Sequence, residues 1–166
     1  YPIRIFPVGR LDKDSTGLLL MTNDGELVNK IMRAGNYHEK EYLVKVNRPI
    51  DEAFCRKMAV GVPILDTVTR PCKVEKLDER AFRIILTQGL NRQIRRMCEA
   101  LGYRVTELKR VRIMNILLGN LKEGTYRKIQ GKEKQELERL LQSSTSLSVK
   151  ERTKKNGREE KNGNRK

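Results

Sequence analysis

Residues 9–27 read GRLDKDSTGLLLMTNDGEL. Two carboxylates, Asp12 and Asp14, stand two residues apart just ahead of an apolar run, and three glycines punctuate the stretch. The run GLLLMT predicts a strand, and the polar DKDSTG before it predicts a turn. Asp, Ser and Thr side chains there can bond local backbone N–H groups. Immediately after, DGELVNKIMRAG (24–35) opens on Asp24 and closes on Gly35, with Leu27, Val28, Ile31 and Met32 at helical spacing. That pattern predicts an amphipathic helix.

Working outward, EYLVKV (41–46) alternates as a strand, and DEAFCRKMAVG (51–61) again runs from Asp to Gly as a short helix. TVTRPCKVEKL (67–77) and RAFRIILTQG (80–89) are β-rich runs separated by Asp78 and Glu79, which predicts a hairpin. NRQIRRMCEALG (91–102) places Ile94, Met97, Cys98 and Leu101 on one helical face and Arg92, Arg95 and Arg96 on the other. YRVTELKRVRIMNILLG (103–119) is strand-like and studded with Arg104, Lys109, Arg110 and Arg112, and KEKQELERLLQ (132–142) closes as a helix. The order predicts an α+β fold, a mixed and mainly antiparallel sheet with flanking helices. Residues 1–142 form one domain in this reading. The almost wholly polar 143–166, with eight bases and three acids, form a disordered basic tail.

A chain of 166 residues carries 36 Lys plus Arg against 21 acids, a formal charge of +15. Solubility alone needs far less. Such an excess points to a polyanion, since each base that reaches a phosphate releases condensed counterions. No run of about 18 apolar residues exists to span a bilayer, which argues against a membrane partner. Cys55, Cys72 and Cys98 are odd in number and form no Cys-x-x-Cys pair, so neither a zinc site nor a disulfide framework is expected. Reduced thiols fit a cytoplasmic protein. A monomer is the expectation.

Three chemical readings compete for the opening acids. As a calcium loop, Asp12, Asp14, Thr16 and Gly17 occupy positions 1, 3, 5 and 6, but position 12, which must be Glu, is Asn23. As the Asp-x-Asp-x-Thr of a phosphotransferase, Asp12 would need an apolar strand before it and later acids for magnesium, whereas FPVGR precedes it. As a plain turn the stretch has no chemistry, and Asp14, Ser15 and Thr16 suit that reading.

GRLDKDSTGLLL resembles the Gly-Arg-Leu-Asp-x-x-(Ser/Thr)-x-Gly-Leu signature of RNA pseudouridine synthases of the small-ribosomal-subunit type. Two further motifs follow in the family's order: KEYLVKV (40–46), with Tyr42, and QGLNRQIRRMCEALG (88–102), with Arg95. The stretches AGNYHEKEYLVKV (34–46) and GVPILDTVTRPCKV (61–74) look most like a large-subunit member. The likeness spans roughly residues 4–130. It implies the pseudouridine-synthase catalytic fold and isomerisation of uridine in 23S rRNA, with a tRNA anticodon as a further substrate, using no cofactor and no metal. It implies Asp12 as nucleophile, Arg95 as the guanidinium paired with it, and Tyr42 as a ring to stack on the flipped uracil and a hydroxyl to relay its C5 proton. Arg10 would help at the vacated helix position, and Arg92, Arg96, Lys109, Arg110 and Arg112 would contact the RNA backbone. A non-catalytic rRNA-binding module is the competing class. His38, the only histidine, has no evident partner and suits a surface or RNA-contacting role. The family's upstream Lys-Pro-x-Gly strand and S4-type RNA-binding domain are not in this sequence, which therefore reads as an N-terminally truncated catalytic fragment.

Overall fold

The alternation in KEYLVKV makes β4 (Lys40–Val46) the middle of a six-stranded sheet, because Val44 and Val46 must turn to one face together. A computed structural model describes residues 4–142 and 144 of the chain. The expected tail, apart from Ser144, lies outside the described residues. Before β4 come β1 (Phe6–Pro7), β2 (Thr16–Gly17), β3 (Met21–Thr22) and α1 (Gly25–Met32). After it come α2 (Glu52–Val60), the small ribbon of β5 (Pro63–Ile64) and β6 (Thr67–Val68), then β7 (Lys73–Asp78) and β8 (Ala81–Leu86). The chain continues through α3 (Gln93–Ala100), β9 (Val105–Ile113), β10 (Ile116–Leu117) and α4 (Gly131–Leu141).

The main sheet runs β10–β9–β4–β8–β7, antiparallel throughout, and β2 lies parallel to β9 along the edge that β9 also offers to β10. The fold is thus α+β with a mixed, mainly antiparallel sheet, as the sequence pattern predicts. One face of that sheet carries Val44, Val46, Phe82, Ile84, Leu86 and Leu108, packed on Phe54 and Met58 of α2 and Ile94, Met97 and Cys98 of α3. The Phe54 and Phe82 rings meet edge to face at 5.3 Å. A second core joins Val8, Leu18, Leu20, Ile31, Ile113 and Ile116 to Leu137 and Leu141 of α4.

The helix signals act as expected. Asp24 caps α1 through the N–H groups of Glu26 and Leu27, and Asp51 caps α2 through that of Phe54 at 2.8 Å. Two expectations change. GLLLMT is not one strand: Gly17 pairs with β9, while Met21 pairs with Pro7 in a separate two-stranded ribbon. Leu18–Leu20 form the crossing between them, with the Leu18 N–H donating to Arg110 O at 2.8 Å and the Val8 N–H to Leu20 O at 2.8 Å. The run 67–77 also divides, since Pro71 has no N–H for a ladder and only Lys73 onward pairs with β8. The β7–β8 hairpin itself forms.

Candidate active site

Asp12 sits in a tight turn, its carbonyl accepting the Ser15 N–H at 2.9 Å. Two strands fix the exit of that turn. Gly17 (φ +113°) pairs with Arg110, and a Cβ there would stand 2.2 Å from Arg110 O, so only glycine lets β2 lie this close to β9. From the other side comes the first turn of α3. Arg95 donates through Nη2 to Asp14 O (3.1 Å) and Ser15 Oγ (3.2 Å), and its Nε stands 3.7 Å from Asp12 Oδ2. The loop therefore bonds to the same side chain that faces the carboxylate.

Arg92 approaches the same oxygen, with Nη1 3.8 Å from Asp12 Oδ2. It is the residue before α3, held in the left-handed region (φ +50°). Buried Gln93 sets this loop: its Oε1 accepts the Leu90 N–H at 3.1 Å and its Nε2 donates to Gln88 Oε1 at 3.3 Å. Asp12 is thus half-buried, with two guanidiniums facing the same carboxylate oxygen. The Arg95 Nε–H is buried and makes no hydrogen bond among the described residues, at a distance from Asp12 that a small contraction would close.

Tyr42 lies on β4 opposite both Ile84 and Arg110, packed against the α2–α3 core. It makes no hydrogen bond to Asp12. What links them is Arg110, whose backbone carbonyl and Nε both bond Leu18, the residue after β2.

The basic residues expected to form one RNA-facing surface separate into different environments. Arg10 is exposed beside Asp12. Arg96 donates twice to Asn91, to O at 3.0 Å and to Oδ1 at 2.9 Å, tying the loop before α3. Lys109 is exposed on the other face of the sheet, lining an apolar groove with Leu19, Leu43 and Lys45. Arg110 departs from the expectation: it is 4% exposed, and its Nε donates to Leu18 O at 2.8 Å, so it braces the Asp12 loop from inside and is not a surface contact. Arg112 is half-buried and spends its charge on Glu39 and Glu41, each at 3.3 Å. The pleat separates Lys109 from Arg110, and a bulge at Val111, which pairs Tyr42 with Arg110 but Glu41 with Arg112, turns Arg112 away from the face of Arg110. His38 also differs from the expectation, being half-buried and hydrogen-bonded to Ser144 Oγ at 2.6 Å. Burial, aided by Lys40, lowers its pKa.

Two features of the structure are not in the sequence reading. Arg92, expected at the RNA backbone, reaches Asp12, 80 residues earlier, which nothing in its position shows. Lys40 is 8% exposed, and burial, then the nearby Arg110 charge, brings its ammonium down to about 8. Strand parity was the available signal, since Lys40 shares its face with Tyr42, Val44 and Val46.

The surroundings of Asp12 are cationic, which suits a carboxylate acting alone and opposes a magnesium site between Asp12 and Asp14. Among the described residues no group of three or more His, Cys, Asp and Glu side chains is arranged to hold a metal ion. No helix among them is long and apolar enough to cross a membrane.

Comparison with known proteins identifies the family and the fold. The sequence profile of the family described as RNA pseudouridylate synthase matches residues 1–100. Dual-specificity RNA pseudouridine synthase RluF of Salmonella typhi is 59% identical over 143 residues, 86% of this chain and 50% of that protein. Ribosomal large subunit pseudouridine synthase B of Bacillus subtilis is 37% identical over 145 residues, 84% of this chain and 59% of that protein. A crystal structure of a pseudouridylate synthase superposes with a TM-score of 0.76 at 34% identity, covering 82% of this chain and 59% of that one. The chain spans about half the length of the RluF proteins it matches.

Proposed function

This chain belongs to the RNA pseudouridine synthase family, and from that premise we propose that it isomerises uridine to pseudouridine in RNA, with Asp12 as the nucleophile. The observation that carries the reading is the position of Asp12 Oδ2 between Arg92 and Arg95. The reaction breaks the N1–C1′ bond, turns the uracil, and joins C5 to C1′; N1 gains a proton and C5 loses one, with no net oxidation or hydrolysis. Asp12 attacks C1′ of the ribose or C6 of the uracil, or takes a ribose proton to give a glycal. Each route brings the Asp12 carboxylate to the reacting atoms, and the two guanidiniums that face it hold it in place. Arg95 acts as the positioning partner, tightening onto Asp12 through Nε as the substrate closes the site. Tyr42 supports the detached uracil with its ring and carries the C5 proton through its hydroxyl.

A uridine paired in a stem must leave the stack to reach Asp12, at a cost of a few kcal/mol that contacts to the flanking RNA offset. Exposed Arg10 is placed to hold the vacated position or its phosphate. The substrate in this reading is 23S rRNA, with a tRNA anticodon as a second target; the name of the Salmonella relative, a dual-specificity RNA pseudouridine synthase, supports two RNA classes. The protein acts as a monomer in the cytoplasm, on its catalytic domain over 1–142 with a basic tail over 143–166.

The test maps pseudouridine by carbodiimide-stop primer extension in 23S rRNA and tRNA from cells lacking the gene, rescued with wild type or Asp12→Asn. One stop lost with the gene and restored by wild type alone establishes both the reaction and the nucleophile. An unchanged map in both RNAs, with RNA binding retained, leaves the non-catalytic rRNA-binding module.

A further inference from the structure

Tyr37 is an aromatic side chain that folding does not use. It is 59% exposed, on a backbone in the left-handed region (φ +55°), between the short 3-10 turn Ala34–Asn36 and β4. One face of its ring is covered by Arg70, whose guanidinium carbon lies 4.1 Å from the ring centroid. Arg70 is anchored in turn: its Nη1 donates to Thr87 O at 3.0 Å, and its backbone N–H donates to Gln88 Oε1 at 3.0 Å. A fixed guanidinium plane against an exposed ring makes a cation–π platform.

The platform is tied to the Asp12 loop by two separate routes. Gln88 bonds Gln93, which sets the loop carrying Arg92 to Asp12 Oδ2. On the other side, Met32 at the end of α1 packs on Gly9, three residues before Asp12, and the chain reaches Tyr37 five residues later. Resting on the RNA reading above, we propose that Tyr37 and Arg70 form a stacking site for an unpaired nucleobase next to the uridine that reaches Asp12. A base splayed from a loop or bulge lies on the open face of Tyr37, while Arg70 holds the opposite face and adds its charge toward the phosphates. Extruding a uridine leaves its neighbour without a stacking partner, and this surface supplies one.

The test measures binding of the 166-residue chain to unmodified 23S rRNA transcribed in vitro, across a salt series, with wild type, Tyr37→Ala, Tyr37→Leu, Tyr37→Phe and Arg70→Met. Stacking predicts that Tyr37→Phe stays within about twofold of wild type, whereas Tyr37→Ala and Tyr37→Leu both weaken binding by roughly 5- to 100-fold at an unchanged salt slope. Arg70→Met weakens binding and reduces the slope of log K against log salt by about one. Rescue by Tyr37→Leu means the ring is a structural plug, and loss in Tyr37→Phe means the hydroxyl is what matters; either overturns the proposal, as does binding unchanged in Tyr37→Ala. The outcome separates from that of the catalytic reading: weaker binding in Tyr37→Ala, together with a pseudouridine map that loss of the gene leaves unchanged, keeps the stacking site and removes the reaction. A pseudouridine stop whose rate has the same KM in Tyr37→Ala keeps the reaction and removes the site.

Discussion

Arg95 faces Asp12 through Nε at 3.7 Å while its Nη2 holds Asp14 O and Ser15 Oγ. One guanidinium thereby both opposes the carboxylate and fixes the turn that presents it. Lysine keeps the charge but cannot span both tasks, because its single ammonium has no planar fork. Arg95→Lys should therefore lower kcat by about 10²-fold or more, the scale of losing one oriented donor at a reacting centre, with little change in KM. Release of tritium from RNA labelled at uridine C5 measures it. A rate near wild type would show that charge alone suffices.

Gly17 tests the other support of the same turn. A methyl at Cβ would fall 2.2 Å from the backbone of Arg110, in a conformation that L side chains rarely adopt. Gly17→Ala should destabilise the protein by roughly 2–4 kcal/mol as β2 is pushed off β9. Gly25, the first residue of α1, has open space around it, so Gly25→Ala should be neutral or stabilising by up to about 1 kcal/mol. Urea denaturation of the pair gives the comparison, and equal effects would contradict the close approach.

The local parts of this fold were legible, and the junctions were not. Asp24, Asp51 and the helix-spaced apolar residues of 93–101 fix α1, α2 and α3 by short-range chemistry that a sequence carries openly. The parallel pairing of Gly17 with Arg110 joins residues 93 positions apart, and nothing near either one announces it. The same gap hid Arg92 from Asp12. Density of basic residues over 92–112 suggested one surface, yet adjacent Lys109 and Arg110 leave β9 on opposite faces. Motif order brought Asp12 and Arg95 together where spacing could not.

The three thiols should differ in reactivity. Burial raises all of them: Cys98 is pushed up to about 12 and Cys72 to about 11, while Cys55 is raised less and is the least enclosed. Thiolate is the reacting form. Iodoacetamide at pH 8 should therefore modify Cys55 first, Cys72 more slowly, and Cys98 only when the protein unfolds. Mass spectrometry of timed digests reads the order, and early labelling of Cys98 would mean that the α3 core opens readily.

Lys40 makes stability depend on pH in a direction opposite to that of a surface lysine pair. Burial, then the Arg110 charge, brings it to about 8 in the folded protein, against an ordinary lysine value of 10.5. Between those two values the unfolded chain binds more protons than the native one, so stability rises with pH. Below about pH 8 both states are charged and the full penalty of holding this ammonium beside Arg110 is present, roughly 3 kcal/mol at one pKa unit per 1.36 kcal/mol. Lys40→Met removes the charge and keeps an unbranched side chain of similar length. The variant should be more stable than wild type at pH 7 by about 2–3 kcal/mol, with the advantage shrinking toward pH 10 as wild-type Lys40 deprotonates. Urea midpoints for both proteins at pH 7 and pH 10 decide it: a difference that does not change with pH would mean that Lys40 gains its tolerance from contacts other than loss of its proton.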